Sequence, residues 1–137
     1  MTQEQKELLL KDLCMRMPYG IKYMRYSWDY DTDQELPVIE TLECADKDGY
    51  INHRRVYTVD DIKPYLFPFS SMTEEQKKEL NDITNLDIEI AISHIKNDTP
   101  NYVTSLNRLN WLLKNHFDIY DLIPIGLAED ATGKNIY

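Results

Sequence analysis

The chain of 137 residues is 42% hydrophobic and 28% charged, with a formal net charge of −9 at neutral pH. Its length is typical of one domain, and its composition excludes a disordered, fibrous or disulfide-dependent protein. Acidic chains are repelled by phosphate backbones and anionic membranes, so we expect no direct nucleic-acid or membrane binding. The two cysteines have no metal or redox spacing, and residues 1–7 do not resemble a signal peptide, which predicts a cytoplasmic protein.

The first predicted element is a helix over residues 1–17. Thr2 and Gln5 have the spacing of a capping box, and Leu9 and Leu13 begin a pattern of apolar residues at helical spacing. Pro18 cannot continue the helical hydrogen bonds, so the helix should end there.

Residues 20–57 are predicted to form three antiparallel strands. Met24, Tyr26 and Trp28 alternate on one face of the first strand, and a second strand starts at Pro37. An Asp-Gly turn then leads into a third strand over residues 50–57. The three strands predict an antiparallel meander, which could also curl into a small SH3-like barrel.

The rest of the chain is predicted to be mainly helical. Residues 58–72 are apolar but interrupted by two prolines, which favours an irregular segment packed across the sheet. Residues 73–127 contain a second capping box, a long amphipathic helix over 100–117 and a short helix over 118–123. Residues 86–96 fit either a helix or a strand. Residues 128–137 form a polar tail that is loose unless Ile136 and Tyr137 pack. The whole chain is thus predicted to be a single α+β domain with a helical C-terminal half.

The negative charge is concentrated in residues 27–48, which hold eight acidic residues and Lys47 as the only base. This segment matches ligand positions of a calcium-binding loop at Asp29, Asp31, Asp33 and Glu40. However, Gln34 stands where the loop needs glycine, and Pro37 occupies another of its positions. We therefore favour a solvated acidic loop at an exposed end of a hairpin, and we predict no metal site.

No sequence motif indicates a catalytic or cofactor-binding site. The glycines are too scattered for a phosphate-binding loop, and no serine lies in a nucleophile elbow. His116 falls in the last turn of the long predicted helix, where an imidazolium would interact favourably with the helix dipole. We therefore expect a protein without enzymatic activity and without a cofactor.

The tryptophans are candidates for contact with a partner, because tryptophan is enriched at interface hot spots. Trp111 lies about 200° around its helix from Leu109, so it either faces a partner or contacts a second neighbour within the fold. Together with the acidic loop, the interaction candidates are Trp28, Trp111, Asp29, Asp31 and Asp33.

Three blocks of sequence resemble small uncharacterised proteins of gut Bacteroidetes genomes and their phages or mobile elements. The first block is Leu13 to Gly20, and the second is Asp61 to Pro68 with Ser70 to Glu75. The third comprises Trp111-Leu112, Asn115 to Asp118, Leu122 to Pro124 and Gly126 to Ala128. The resemblance implies an accessory protein of a phage or mobile element and implies no mechanism.

These observations favour a non-catalytic protein-interaction module with an unknown protein partner. The alternative is an acidic decoy that inhibits a DNA-binding protein by occupying its basic groove. An enzyme whose site is assembled from distant residues is the third reading. The sequence leaves the oligomeric state open.

Overall fold

The computed structural model describes residues 1–46, 48–52, 54–83 and 103–137. The helices in this part of the chain are α1 (Gln3–Arg16), α2 (residues 74–83) and α3 (Val103–Lys114). The strands are β1 (Lys22–Asp29), β2 (Gln34–Thr41), β3 (Tyr50–Ile51), β4 (Arg54–Thr58), β5 (Ile62–Leu66) and β6 (Glu129–Asp130). The fold is therefore α+β, as the sequence predicts.

Helix α1 begins and ends at the residues that its local signals indicate. The Gln5 amide donates to Thr2 Oγ1 at 3.2 Å, and the Thr2 amide donates to Gln5 Oε1 at 2.8 Å. The predicted capping box is thus confirmed. A 3₁₀ turn follows the helix, and Gly20 then adopts a left-handed conformation (φ 66°) that favours glycine. Leu9 and Leu13 are completely buried on the inner side of α1.

Strand β1 is central in a mixed sheet with the order β2–β1–β5–β6. It pairs antiparallel with β2 along its whole length, but with β5 only from Tyr23 to Arg25. Strands β5 and β6 pair in parallel. The predicted meander of three consecutive strands over 20–57 is therefore not the observed arrangement. Since β2 and β6 are edge strands in the described part of the chain, the sheet is curled but does not close into the SH3-like barrel.

The predicted third strand, residues 50–57, differs because Asn52 reverses the chain. Asn52 has a left-handed backbone (φ 53°), and β3 pairs with β4 as a separate two-stranded sheet. The Asn52 side chain donates to the Thr41 carbonyl at 2.9 Å and accepts from the Glu43 amide at 2.7 Å. These bonds attach the small hairpin to the end of β2. Asparagine tolerates this conformation better than most residues.

The segment predicted to be irregular, residues 58–72, instead contributes a strand to the main sheet. Thr58 and Asp61 form a capping box around a 3₁₀ turn, and β5 follows directly. Pro64 lies opposite Tyr23 in the last pair of the short β1–β5 ladder. A proline there removes only one donor from the end of a ladder, so it does not prevent pairing.

In the described residues of the C-terminal part, one of the predicted helices is absent. The capping box that opens α2 is confirmed, since the amide of Gln76 donates to Thr73 Oγ1 at 3.1 Å. The predicted short helix over residues 118–123 is wrong, because this segment forms successive turns. The Asp118 carboxylate nevertheless accepts hydrogen bonds from the amides of Leu122 and Ile123, both at 2.9 Å, and so stabilises those turns. The ambiguous residues 86–96 lie outside the described residues.

The polar tail is attached to the fold at two places. Strand β6 pairs with the end of β5. The Tyr137 hydroxyl donates to the Tyr65 carbonyl at 2.7 Å and accepts from the Lys22 amide at 3.0 Å. The tail thus docks through Tyr137, the condition under which the sequence predicts it to be ordered.

The hydrophobic core lies between α1, the inner face of the sheet and the turns after α3. Apolar residues from α1, β1, β3, β5 and the segments between the elements contribute to it, since burial of such side chains is the main favourable term in folding. They are Leu9, Leu13, Ile21, Tyr23, Leu42, Ile51, Val59, Ile62, Leu66, Leu122, Leu127 and Ala128.

Candidate interaction surface

Strands β1 and β2 form a hairpin that extends beyond the rest of the sheet. Pairing with β2 continues to Asp29, whereas pairing with β5 stops at Arg25. The turn is closed by the Asp29 carboxylate, which accepts from the Asp31 amide at 3.1 Å and from the Thr32 hydroxyl at 2.7 Å. Asp33 then adopts a left-handed backbone (φ 54°) that returns the chain into β2. The distal half of the hairpin is therefore a two-stranded ribbon.

The outer face of this hairpin carries a contiguous set of apolar side chains. The register places Met24 opposite Ile39 and Tyr26 opposite Pro37, and directly opposed residues share a face. Trp28 follows on the same face of β1 because side chains alternate along a strand. We call this set the hairpin face: Met24, Tyr26, Trp28, Pro37 and Ile39.

The hairpin face is open to solvent. Tyr26 is 55% exposed, and Trp28 and Ile39 are each 48% exposed. Scattered exposed apolar residues are normal on a protein surface. Several neighbouring ones on one sheet face, including two large aromatic rings, are typical of a contact surface. This face is the most prominent candidate site in the described part of the chain.

The acidic end of the hairpin consists of Asp29, Asp31 and Asp33. Asp31 and Asp33 are exposed, and neither forms an ion pair with the described residues. The prediction that the acidic segment lies at an exposed end is confirmed. Trp28 precedes the acidic end directly, so the structure brings this candidate and the three aspartates together.

The fourth carboxylate of the calcium hypothesis lies elsewhere. Glu40 is opposite Tyr23, six residues along the hairpin from the pair of Asp29 and Gln34. Six residues of strand correspond to about 20 Å, far beyond the size of a metal site. Glu40 also accepts a hydrogen bond from Arg25 at 2.7 Å and one from the Tyr23 hydroxyl at 2.7 Å. In the described residues, no group of three potential ligands is placed to hold a metal ion.

Glu40 belongs to a polar network on the inner side of the hairpin. Its hydrogen bond to Arg25 is the main reason that the pKa of this guanidinium lies above its usual value. Arg25 also donates to the Tyr57 hydroxyl at 3.1 Å and stacks over the Tyr57 ring. Asn52 donates to the Tyr23 hydroxyl at 3.2 Å. The network therefore connects the base of the β1–β2 hairpin to the β3–β4 hairpin, which fixes the orientation of the hairpin face.

A second cluster, the buried junction, comprises the ionisable side chains of Asp12, Arg16 and His116 together with the backbone carbonyl of Phe117. The side chains of Asp12 and Arg16 are fully buried and form two hydrogen bonds, at 2.7 and 2.9 Å. Arg16 Nη2 also donates to the Phe117 carbonyl at 2.6 Å. Burial raises the pKa of the Asp12 carboxyl, and the bonds from Arg16 oppose that rise. The junction thereby connects α1 to the end of α3.

The sequence predicts that His116 lies in the last turn of a helix as a cation. In the structure it lies beyond the helix and is neutral. Helix α3 ends at Lys114, and His116 is buried with a left-handed backbone (φ 61°). Burial, together with the nearby charge of Arg16, lowers the pKa of His116 to about 4. Its ring stacks on Tyr137 with a centroid separation of 3.8 Å. The imidazole is therefore neutral at physiological pH, and the predicted interaction of its cation with the helix dipole is wrong.

Trp111 is the interaction candidate that the structure separates from the others. It is half-buried and stacks on the Phe117 ring at 5.8 Å, and Phe117 also stacks on Phe69 at 5.9 Å. Trp111 thus contacts other parts of its own chain, which is one of the two alternatives for this residue. The sequence analysis identifies Trp28 but misses its neighbours Tyr26, Pro37 and Ile39. The alternation of Met24, Tyr26 and Trp28 was the available signal, but it does not show which face stays uncovered.

No described helix is both long and apolar enough to cross a lipid bilayer. Comparisons with family models, with curated proteins and with solved structures find no match to this chain. The proposal for function is therefore drawn from the geometry of the chain itself.

Proposed function

We propose that this protein is a non-catalytic protein-interaction module that binds its partner through the hairpin face. The observation that carries the proposal is the exposure of Tyr26, Trp28 and Ile39 together on one sheet face. Burying aromatic rings on association gives a large favourable free energy, and tyrosine and tryptophan are enriched at such contacts. The polar network behind the face holds it in place before a partner arrives, which lowers the entropic cost of binding.

The absence of catalysis in this proposal is supported by the state of the buried junction. Asp12 and Arg16 are completely inaccessible and bonded to each other. Groups that cannot contact a substrate act in stability rather than in proton transfer to or from one. The three blocks of resembling sequence support a role as a cytoplasmic accessory protein of a phage or mobile element.

Affinity capture from a lysate of the source organism tests the proposal when it is done with matched variants. The double variant Tyr26→Ser/Trp28→Ser should lose the captured partner, because it removes the two largest rings of the face. Phe69→Ser is the control, since Phe69 is exposed to a similar extent (46%) outside the hairpin. Thermal melting of each variant shows that it is folded. A partner retained by the double variant, or lost equally with the control, would refute the hairpin face as the binding surface.

The alternative, an acidic decoy of a DNA-binding protein, is favoured by one observation. The projecting hairpin presents Asp31, Asp33 and Glu35 at alternate positions, all exposed. A decoy of this kind needs the carboxylates but not the aromatic face. Capture that survives Tyr26→Ser/Trp28→Ser, but is abolished by Asp31→Asn/Asp33→Asn and by added DNA, would support the decoy.

A further inference from the structure

A groove of about 520 Å³ adjoins the hairpin face. It is lined by Met24 and Tyr26 of β1, Tyr57 of β4 and Asp60 of the 3₁₀ turn before β5, among others. The groove exists because β5 pairs only with the first half of β1, from Tyr23 to Arg25. The 3₁₀ turn before β5 leaves the second half of β1 without a paired strand on that side in the described residues. The groove and the hairpin face share Met24 and Tyr26, so they form one continuous surface.

The groove is acidic. Four carboxylates line it, from Glu35, Asp60, Asp61 and Glu129, and Lys63 contributes an ammonium. Three of these acids are engaged within the chain. Asp60 pairs with Lys6, Asp61 accepts from the Thr58 amide at 2.8 Å, and Glu129 lies 3.7 Å from both Lys63 and Lys134.

Glu35 is the carboxylate of the groove that is free to take a ligand. It is exposed, and it makes no hydrogen bond or ion pair with the residues that the structure describes. It lies opposite Trp28 in the register, on the same face as Tyr26. A carboxylate beside two exposed aromatic rings provides both parts of a binding site for an alkyl chain with a cationic end.

We propose that the partner contacts this surface with a basic segment, and that one of its arginine side chains lies in the groove. This inference rests on the proposed function and names the chemistry of the partner. The aliphatic part of the arginine packs on Met24 and the Tyr26 ring, while the guanidinium pairs with Glu35. Apolar residues of the same segment cover Trp28 and Ile39, and the acidic end attracts the segment during its approach.

Charge complementarity selects this occupant over others. A second copy of this chain would bring its own acidic hairpin against the first, and like charges at an interface are unfavourable. A nucleic acid is repelled by the same carboxylates. The described residues offer no cluster suited to a metal ion. An arginine is preferred to a lysine because its planar guanidinium both stacks on aromatic rings and pairs with carboxylates.

A pair of synthetic peptides tests the inference on the full chain. The first is a blocked twelve-residue peptide in which arginine alternates with valine, and the second has citrulline in place of each arginine. Citrulline keeps the shape of arginine but removes its charge and replaces one of its NH2 donor groups with a carbonyl acceptor. We expect the arginine peptide to shift the NMR signals of the Trp28 indole and the Tyr26 amide. The citrulline peptide should bind at least about tenfold more weakly, since the charge contribution is lost.

Two variants of this chain show which carboxylate pairs with the guanidinium of the peptide. Glu35→Gln should weaken binding of the arginine peptide about 3- to 10-fold, whereas Glu75→Gln, an exposed acid on α2, should leave it unchanged. Equal binding of both peptides, an equal effect of the two variants, or no shift at Trp28 and Tyr26 would each overturn the basic-segment inference. The proposed function is tested separately by the capture experiment. Capture that depends on Tyr26 and Trp28 would stand even if the arginine peptide failed.

Discussion

The buried junction and the acidic end of the hairpin differ in the burial and pairing of their charged side chains. Asp12 and Arg16 are withdrawn from water and bonded to each other and to the backbone of Phe117. Asp31 and Asp33 stay exposed and unpaired among the described residues. A buried charge is tolerated when it is paired and hydrogen-bonded, whereas an exposed one keeps its water and remains available. The junction is thus suited to holding the chain together, and the hairpin to binding something else.

The largest expected effect comes from breaking the junction. Arg16→Met leaves the Asp12 carboxylate buried without its partner, so we expect a loss of about 3–5 kcal/mol in the free energy of unfolding. Chemical denaturation at pH 7 measures it. The control Lys6→Met removes only the exposed pair with Asp60 and should cost less than about 1 kcal/mol.

A second variant distinguishes the loss of one charge of the pair from the loss of both. In Asp12→Leu/Arg16→Met neither charge of the pair remains, so the double variant should be more stable than Arg16→Met alone. If Arg16→Met costs no more than Lys6→Met, the contrast between the junction and the surface is mistaken.

The apolar packing beside the junction gives the next effect. Leu113 is 3% exposed, and Leu113→Ala should cost about 2–5 kcal/mol through lost burial and the cavity left behind. Leu109, one turn earlier, is only half-buried, so Leu109→Ala should cost clearly less. Both leucines lie in the apolar stripe of the helix predicted over 100–117, so the sequence predicts a loss of about 2–5 kcal/mol for either one. Denaturation of both variants under identical conditions decides between these expectations, and equal losses would favour the sequence-based one.

A smaller effect should appear as a dependence on pH. The folded His116 stays neutral down to its pKa of about 4, whereas the unfolded imidazole takes up a proton below about 6.5. The unfolded state therefore binds more protons between these values, and stability falls as the pH is lowered through this window. The contribution of His116 should be about 1–3 kcal/mol. His116→Asn, which suits the left-handed backbone, should lose less stability than the wild type between pH 7 and pH 4.5. Identical losses in the two proteins, measured by denaturation at both pH values, would show that His116 does not titrate in this way.

The smallest effect is expected at the hairpin. Tyr26→Ser/Trp28→Ser should change the free energy of unfolding by less than about 1 kcal/mol, since both rings are about half exposed and contribute mainly cross-strand contacts. Thermal melting checks this. A loss comparable to that of Arg16→Met would mean that the hairpin face serves the fold rather than a partner.

Local signals in the sequence predict local structure well. The capping boxes at Thr2 and Thr73 need only residues three positions apart, and both are present in the structure. The alternation along β1 likewise needs no information from elsewhere. The candidate site was predicted in part for this reason, because Trp28 and the acidic end lie in one stretch of sequence.

Contacts between distant residues account for what the sequence did not predict. Pro64 reads as a strand breaker, and only its position at the end of the ladder with β1 makes a strand possible. Arg16 lies in the last turn of α1, where no local signal predicts its burial, and its side chain bonds to a carbonyl 101 residues away. Which face of β1 stays uncovered depends in the same way on where α1 and the turns after α3 pack on the sheet, so the sequence does not predict Tyr26 as a site residue.

The hydrogen bond from Arg16 to the Phe117 carbonyl also sets the order of events when the chain is made. On a ribosome that adds about 5–20 residues per second, α1 waits several seconds before residue 117 is synthesised. The bonds of Tyr137 to Lys22 and Tyr65 come later still, 115 and 72 residues after their partners. Contacts of such long range slow folding, because the entropy of the intervening loop is lost before the contacts form. The nascent chain thus holds Asp12 and Arg16 without the Phe117 carbonyl until that residue is synthesised, a period in which a holding chaperone would raise the yield of folded protein.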